Sequence, residues 1–295
     1  MASPAHTVPK SELEVLNQLI SDEIGLYRIR ARNRVHYLKI EADVFAEETM
    51  CRPYLLIPEL PEFPDDDWTQ MDICRSSGSL KWSLSYEPLP EVTSIWHPKK
   101  VDVLSLKILD RIRSGVHEVL YDDNGNGHQG NTAIAKIACF RWQIRSVNIE
   151  TWVYSQLHEA AGRGSESGGS TDINAGCSTH QLFPTFLAHL TENGRVIGML
   201  LERVEGEFAS IEDLPACEDV VRRFHHLSNL IHGDVNRHNF LVDREKDTVR
   251  VIDFEHCEPY EESQARQELE SLPAELSETT GRGGVIVKVL EEEEI

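Results

Sequence analysis

The chain contains 295 residues, of which 40% are hydrophobic and 27% are charged, and its formal net charge is −21. This composition is that of a globular protein with a core, but the excess of acidic residues argues against nucleic acid or an anionic membrane surface as the main partner, because phosphate contacts need Lys and Arg. The acidic charge is compatible with a cationic small substrate, although solubility alone explains it more simply.

The cysteines and the N-terminus indicate a compartment. Six cysteines are scattered without a C-x-x-C or a zinc-ribbon spacing, which predicts reduced thiols in a reducing environment. The N-terminus has no apolar segment of signal-peptide length, and no apolar run is long enough to span a bilayer. These features predict a cytoplasmic protein, with the nucleus as an alternative.

Residues 1–100 carry no motif with an evident chemical role. Apolar residues recur at helical spacing over 10–24, which predicts a helix, and alternating residues on both sides of Arg32–Asn33 predict a β-hairpin. The Pro-, Asp- and Glu-rich segment 52–70 is typical of a loop. Two further segments are expected to add strands, 78–89 and 91–98. We therefore expect an α+β N-terminal extension, and a partner protein could bind through it.

Beyond residue 100 the pattern changes to strands and helices in a regular order. Three strands are predicted first, followed by a helix, two strands, a second helix, a small hairpin and a final helix. In chain order these segments are 101–112, 117–123, 132–140, 146–161, 183–190, 195–204, 217–231, 239–243, 249–255 and 262–276. A Gly/Ser-rich stretch at 162–179 predicts a mobile loop, and the last residues, VLEEEEI, predict a frayed acidic tail.

The most specific motif begins at Leu230 with LIHGDVNRHNFLV and continues at Val249 with VRVIDFEHC. Asp234 and Asn239 stand five residues apart on a loop between a helix and a strand, and Asp253 closes the paired strand. Phosphoryl transfer from ATP needs one carboxylate to orient the acceptor hydroxyl and take its proton, and an amide oxygen with a second carboxylate to hold Mg²⁺ on the phosphates. Each residue alone is also an ordinary turn residue, but the three in this context favour the catalytic set.

These two segments resemble the catalytic and metal-binding loops of the protein-kinase-like superfamily. The letters H-G-D and D-F-E are closest to the aminoglycoside/choline phosphotransferase type and to small fungal kinase-like proteins, and the resemblance covers about residues 101–270. It implies an α+β, protein-kinase-like two-lobed fold. An antiparallel-sheet N-lobe would span 101–205, and a short helical C-lobe with the acidic tail would span 206–295, behind the extension 1–100.

The resemblance also implies a role for each residue of the motif. Asp234 would be the catalytic base or hydroxyl orienter, and Asn239 and Asp253 would be the Mg²⁺ ligands. Lys136 ends the segment AIAK, which resembles the V-A-I-K strand of kinases, and would contact the α- and β-phosphates of ATP. A lysine exposed on a strand is the alternative for this position.

Two other segments complete the implied nucleotide site. Glu150, at the start of the helix that follows the lysine strand, would pair with Lys136, although the helix dipole explains a glutamate early in a helix equally well. Glu202 and Val204, at the end of a predicted strand, resemble the hinge whose backbone meets adenine.

Two segments compete for the role of covering the phosphates. The run NGNGHQG matches G-x-G-x-x-G, but a kinase glycine loop joins the first two strands, and the last glycine of this run, Gly130, is only six residues before Lys136. These glycines therefore predict a turn between the second and third strands. The phosphate-covering loop is expected at 112–118 instead, where Ser114 and Gly115 offer backbone N–H donors.

The sequence therefore predicts an ATP- and Mg²⁺-dependent phosphotransferase, with a hydroxyl on a small molecule favoured over a protein as the acceptor. A pseudokinase-like nucleotide- or partner-binding module without turnover is the alternative, because the glycine loop is sparse and no A-P-E motif follows Asp253 in the roughly 40 residues that remain. A metal-dependent hydrolase that uses His232 and Asp234 is a minor alternative, since the usual metal-ligand spacings are missing.

Overall fold

The structure is a computed structural model that describes residues 6–122, 130–166 and 182–281. The chain divides into two compact units, of which the first comprises the residues up to 91 together with 139–142 and 192–195. Three sequence predictions fall outside the described residues: the turn at Gly125 and Gly127, the Gly/Ser-rich loop beyond residue 166, and the acidic tail.

The first unit is built around a mixed five-stranded sheet. Its strands are β1 (Leu13–Ile20), β2 (Ile24–Ala31), β3 (Arg34–Glu41), β4 (Gln70–Ser76) and β5 (Ser79–Ser85). They lie side by side in chain order, and β3 and β4 are parallel while the other pairs are antiparallel. The predicted hairpin at Arg32–Asn33 and the predicted strand within 78–89 are confirmed.

Two short helices connect β3 to β4, because a parallel pair of strands requires a crossover. They are α1 (Glu47–Cys51) and α2 (Pro53–Glu59). Helix α2 corrects the loop predicted over 52–70. A proline at the first helical position already has the φ angle that a helix needs, and Leu56 is fully buried, so packing stabilises the helix that follows.

The helix predicted over 10–24 is wrong, because this segment forms the edge strand β1. The strand pairs with β2 along its length, with a bulge between Val15 and Asn17. A bulge interrupts the alternation of side chains along a strand, and the apolar residues then fall at spacings that also fit a helix. Pairing with β2, which the local spacing does not encode, decides the conformation.

A buried ion pair lies within the first unit beside its apolar core. Glu192 is fully buried, and its carboxylate accepts hydrogen bonds from Arg28 at 2.5 Å, from the Tyr37 hydroxyl at 2.7 Å and from Arg195 at 2.7 Å. Burial alone would raise the pKa of Glu192, but the two guanidinium groups outweigh it and lower that pKa. The carboxylate is therefore ionised and compensated, as a buried charge must be.

Most of the six-stranded sheet that carries the predicted lysine strand lies in the second unit, and only Glu192 and Arg195 of its strands belong to the first. Its strands are β6 (Lys100–Asp102), β7 (Lys107–Arg113), β8 (Val116–Tyr121), β9 (Asn131–Ile137), β10 (Phe186–Glu192) and β11 (Arg195–Glu202). Their order across the sheet is β6-β10-β11-β9-β8-β7. The five strands predicted over this part of the chain are confirmed, although the first of them begins later than expected, at Lys107.

The rest of the second unit is helices and short strands. They are α3 (Ile144–Glu166), β12 (Glu207–Phe208), α4 (Leu214–Ser228), β13 (Leu230–Ile231), β14 (Phe240–Asp243), β15 (Thr248–Val251), β16 (Glu258–Pro259) and α5 (Glu262–Leu276). Strands β12, β14 and β15 form one small sheet, and β13 pairs with β16. The three predicted helices and the α+β class are confirmed. Because α3 reaches Glu166, the first residues of the predicted 162–179 loop are helical.

The strand predicted at 91–98 is wrong. One backbone bond joins Val92 to Val196. Of the N–H groups that follow, two donate to the side chain of Asn148 and two to the ring of His189. Side-chain acceptors therefore take the place that a neighbouring strand would have.

Apolar clusters on both sides of the lysine strand fix its position in the second unit. One cluster contains Ala133 and Ala135 of β9, and the other contains Met199 of β11 and the apolar faces of α3 and α4. Along the described ranges, no helix has both the length and the apolar composition needed to cross a membrane.

Gly198 lies on β11 opposite Ile137 of the lysine strand. A Cβ atom at this position would stand 2.3 Å from the carbonyl oxygen of Lys136, and backbone cannot give way as a flexible side chain does. We expect Gly198→Ala to lower the free energy of unfolding by about 1–3 kcal/mol, the usual effect of overpacking, as measured by urea denaturation. Gly130→Ala is the control, because a Cβ there would meet its nearest neighbours at 3.4 Å. An equal loss in both variants would contradict the steric argument.

Candidate active site

Lys136 occupies the middle of the six-stranded sheet, paired with Val116 of β8 and with Met199 of β11. Its buried ammonium donates to both carboxylate oxygens of Glu150, at 2.7 and 2.8 Å, and to Oδ1 of Asp253 at 2.7 Å. Burial alone would lower the pKa of Lys136, but the charges of the two carboxylates outweigh it and raise that pKa. Lys136 is therefore a buried, paired cation and not an exposed strand lysine.

Glu150 reaches Lys136 from helix α3. The helix begins at Ile144, so Glu150 is its seventh residue and lies beyond the first turn, where the helix dipole acts. Its expected place at the start of the helix and the dipole explanation are therefore both wrong. Only 3% of Glu150 is exposed, so its negative charge depends on Lys136 for compensation.

Asp253 is held in place by the residue that follows it. Its backbone is left-handed, with φ at 71°, a region that aspartate enters more readily than most residues. Phe254 is fully buried, stacks on Phe224 of α4 with ring centres 5.2 Å apart, and meets Tyr154 of α3 edge-on at 5.3 Å. These aromatic contacts connect the Asp253 backbone to two helices.

Each carboxylate oxygen of Asp253 accepts a hydrogen bond from a cationic side chain. Lys136 donates to Oδ1, and the guanidinium of Arg113 donates to Oδ2 at 2.7 Å. Burial would raise the pKa of Asp253, but these two charges bring that pKa well below its usual range. Arg113 was not among the predicted site residues, although it lies inside the predicted phosphate-covering loop 112–118, directly before Ser114.

Ser114 and Gly115 form the turn between β7 and β8, as predicted. Gly115 has φ at 74°, a conformation that favours glycine. Its carbonyl oxygen accepts the N–H of Ile137 at 2.7 Å, so the turn is tied to the residue that follows Lys136. The role of its N–H groups toward phosphate stays a prediction.

The side chain of Asp234 is oriented by two amides of its own loop. Asn236 donates to Oδ1 at 2.9 Å, and Asn239 donates to Oδ2 at 3.0 Å and to the Asp234 carbonyl oxygen at 2.8 Å. Asp234 and Asn239 were predicted from the sequence motif, whereas Asn236 was not. Because both oxygens of the carboxylate accept hydrogen bonds, its direction is fixed while it stays half-exposed.

Hairpin β14–β15 brings the two predicted metal ligands side by side. The N–H of Ile252 donates to the carbonyl oxygen of Asn239 at 2.9 Å, so Asn239 lies in register with the residue before Asp253. The amide nitrogen of Asn239 is committed to Asp234, which leaves its amide oxygen as the atom that could meet a cation. Amide and carboxylate oxygens are the ligands that Mg²⁺ prefers, so this pair fits that ion.

Glycine is required between His232 and Asp234. Gly233 has φ at 81°, and a Cβ there would stand 2.2 Å from the carbonyl oxygen of His256. A side chain would therefore be strained twice, by its backbone conformation and by the contact. The H-G-D sequence is thus a structural requirement of this loop.

Glu268 of α5 anchors the backbone of the same loop. Its carboxylate accepts the N–H of His232 at 3.1 Å, the N–H of Gly233 at 2.6 Å and a hydrogen bond from the ring of His225 at 2.6 Å. Burial would raise the pKa of Glu268, but these three donors lower it. The sequence does not identify Glu268 as part of the site, because nothing in the local pattern of α5 marks a glutamate that binds a loop 35 residues away.

His232 is fully buried and forms hydrogen bonds as a neutral ring. Its Nε2 donates to the carbonyl oxygen of Ile252 at 3.0 Å, and its Nδ1 accepts the N–H of Asp234 at 3.3 Å. This pattern defines one tautomer, and burial lowers the pKa of His232. The ring therefore connects the Asp234 loop to the strand that leads into Asp253.

The described residues give no support to the hydrolase alternative. They contain no group of three or more His, Cys, Asp or Glu placed to hold a metal ion, whereas a catalytic zinc site uses three protein ligands. His225 is bonded to Glu268 and His232 to Ile252, so both rings already have partners.

Glu202 and Val204 lie where the central sheet ends. Glu202 is the last residue of β11 and pairs with Ala133 of β9, and its carboxylate accepts hydrogen bonds from Thr185 and Arg250. Val204 is half-buried in the segment before β12. The strand that ends here therefore adjoins the lysine strand, as expected of a hinge, while contact of its backbone with adenine stays a prediction.

An open recess of about 560 Å³ adjoins Asp234, a volume suited to a small molecule. Its wall comes from the Asp234 loop, from the segment after Phe254 and from α5. The acidic side chains on this wall are those of Asp234, Glu258, Glu268 and Glu275, and the residues that line it include no Lys or Arg. The recess therefore disfavours an anionic occupant.

Residues 207–280 match the family model described as "Lipopolysaccharide kinase (Kdo/WaaP) family". The matched segment contains Asp234, Asn239 and Asp253, whereas Lys136 and Glu150 precede it. This is a protein-kinase-like family, so the match supports a kinase-like relationship and implies a phosphotransferase that uses ATP, with the acceptor left open. It does not identify the aminoglycoside/choline subtype. No curated protein gave a match to the chain.

Removal of the Glu268 carboxylate should destabilise the protein. Glu268→Ala leaves two backbone N–H groups and the His225 ring without their acceptor, so we expect the free energy of unfolding to fall by about 3 kcal/mol. Glu270→Ala is the matched control, because it makes the same change at an exposed position of α5 and should shift stability by less than about 0.5 kcal/mol. Similar losses in urea denaturation would rule out the anchoring role.

Acidification should destabilise the protein through His232. Because burial lowers the pKa of this ring below the ordinary value for histidine, the unfolded chain takes up a proton first as the pH falls, and the free energy of unfolding decreases below about pH 6.5. His232→Gln should be less stable than wild type at pH 7.5 but lose less stability between pH 7.5 and pH 5.5. The exposed His226 provides the control, His226→Gln. Parallel losses in wild type and His232→Gln would disprove this origin of the pH dependence.

Proposed function

We propose that the chain is an ATP- and Mg²⁺-dependent phosphotransferase of the two-lobed protein-kinase type, which moves the γ-phosphoryl group of ATP to a hydroxyl of a small molecule. The observation that carries the proposal is the buried contact of Lys136 with both Glu150 and Asp253. Three segments that are distant in sequence meet there, and the third belongs to the stretch that matches a kinase family.

On this proposal Lys136 binds the α- and β-phosphates, and Glu150 keeps its ammonium directed toward them. Asn239 and Asp253 would hold Mg²⁺, which supplies charge neutralisation on the phosphates when it is bound. The Ser114–Gly115 turn would cover the phosphates, and the backbone at Glu202–Val204 would meet adenine. Phosphoryl transfer depends mainly on positioning and on charge compensation, and this set of residues offers both.

Asp234 would act on the acceptor. The carboxylate accepts the proton of the acceptor hydroxyl, the hydroxyl oxygen forms a bond to the γ-phosphorus, and the bond from that phosphorus to the β–γ bridging oxygen breaks to release ADP. The hydrogen bonds from Asn236 and Asn239 support this role, because they aim the carboxylate without protonating it. General-base assistance of this kind contributes about 10²–10⁴ in rate.

The recess beside Asp234 supports a neutral or cationic acceptor. An anionic acceptor would meet the four carboxylates of its wall without a Lys or Arg to offset them, and like charges at short range repel each other. An uncharged polyol or an amino alcohol meets no such penalty. The N-terminal extension 1–100 is proposed as a surface for a partner protein.

The test measures ADP release when the protein is incubated with ATP, Mg²⁺ and each member of a panel of polyols and amino alcohols. Wild type should release ADP with at least one acceptor, and Asp234→Asn should reduce that rate by about a hundredfold or more while its affinity for ADP stays within about twofold. Asp219→Asn makes the same change at an exposed position of α4 and should leave the rate unchanged.

Two other results would redirect the assignment. ADP binding with no ADP release for any acceptor would favour the nucleotide-binding module without turnover. Wild-type protein that binds neither ATP nor ADP, tested by thermal shift and by calorimetry, would eliminate both functions.

A further inference from the structure

Arg113 and Lys136 stand in one row across three strands. In the ladders, Arg113 of β7 pairs with Val116 of β8, and Val116 pairs with Lys136 of β9. Directly paired residues of antiparallel strands project from the same face of the sheet. Arg113 and Lys136 therefore extend from the same face, two strands apart, and their cationic groups converge on the two oxygens of Asp253.

This convergence gives each carboxylate oxygen of Asp253 a cationic partner. Two cations, Arg113 and Lys136, balance two anions, Glu150 and Asp253, within one set of contacts. A divalent cation that binds Asp253 competes with these two groups, because cations gathered at one carboxylate repel each other. Metal binding at Asp253 therefore weakens one of the existing ion pairs.

Arg113 is the cation that can leave. Lys136 is buried and keeps two bonds to Glu150, whereas 38% of the Arg113 side chain is exposed. Arg113 also ends β7, the edge strand of the sheet, and the β7–β8 register is irregular between Arg111 and Arg113. A long side chain on an irregular edge has more freedom to move than a lysine in the centre of the sheet.

A released Arg113 would lie beside the nucleotide phosphates of the proposed function. It immediately precedes the Ser114–Gly115 turn. The phosphate-covering loop proposed there contains only one glycine, fewer than the loop of a typical kinase. A guanidinium is a planar fork of N–H donors that matches two phosphate oxygens at once. Arg113 thus has the chemistry that the short turn lacks.

We propose that Arg113 is a phosphate-binding residue that exchanges partners, leaving Asp253 for the nucleotide phosphates when a divalent cation takes the Asp253 oxygen. The inference rests on the proposed function and adds to it a residue that couples metal binding to nucleotide binding. It has two consequences of opposite sign. Without the guanidinium, a divalent cation alone binds more tightly, and a metal-bound nucleoside diphosphate binds more weakly.

The first measurement compares ADP with adenosine at saturating Mg²⁺, by calorimetry. Arg113→Gln should weaken ADP binding about tenfold or more, since it removes a charge-assisted hydrogen bond to a phosphate. Adenosine has no phosphate, so its affinity should be unchanged. Arg111→Gln is the matched control, because it removes the same charge from an exposed residue of the same strand and should alter neither affinity.

The second measurement uses Mn²⁺ alone, followed by its electron paramagnetic resonance. Sites that persist in Asp253→Asn are surface sites of the acidic chain and are subtracted. At the remaining site Arg113→Gln should bind Mn²⁺ at least threefold more tightly than wild type, because the competing cation is gone. Arg113→Lys keeps a competing charge and should restore the wild-type Mn²⁺ affinity. Melting curves of each variant verify that it is folded.

The two measurements decide the inference together. Weaker ADP binding without tighter Mn²⁺ binding overturns the exchange of partners, and tighter Mn²⁺ binding without weaker ADP binding overturns the phosphate contact. Equal losses for ADP and adenosine also overturn that contact. If wild type binds ADP and Arg113→Gln matches it in both measurements, the inference fails while the proposed function stands. If wild type binds no ADP, the proposed function fails first.

Discussion

The second unit depends on one constraint: an ammonium group can be buried only where opposite charges meet it. Lys136 has nine-tenths of its surface removed from water, and it stays charged because Glu150 and Asp253 contact it directly. Loss of one partner would leave an uncompensated buried charge, which costs about 3–5 kcal/mol in other proteins. The relative positions of β9, α3 and the end of β15 are therefore fixed by electrostatics as well as by apolar packing.

In the Asp234 loop it is buried polar groups, and not a buried charge, that need partners. Its backbone N–H groups and the ring of His232 are buried, and Glu268 and the carbonyl oxygen of Ile252 satisfy them. The two carboxylates with proposed chemical roles then differ in their surroundings. Asp253 is buried between cations, whereas Asp234 is half-exposed and held by neutral amides. That difference suits one for holding cations and the other for exchanging a proton with a bound hydroxyl.

Much of the fold beyond residue 100 could be predicted because its signals are local. Apolar periodicity marks α4, and turn residues separate alternating strands at Ser114–Gly115. The errors occur where a distant partner decides the conformation. Pairing with β2 makes residues 13–20 a strand, and side-chain acceptors on other elements prevent a strand at 91–98. In such segments the local pattern is compatible with more than one conformation.

The residues of the candidate site also fall into two groups, those that local sequence predicts and those that only distant contacts reveal. The amino-acid sequence by itself determined the order and spacing of Asp234, Asn239 and Asp253, since these residues share one loop and one hairpin and their proximity follows from chain connectivity. Only the tertiary structure decided that Glu150 meets Lys136 from the second turn of α3, that Arg113 occupies the second oxygen of Asp253, and that Glu268 anchors the loop. Charges attract through space with no regard to sequence separation and leave no periodic trace along the chain, so these partners become visible only when the folded chain brings them within hydrogen-bonding distance.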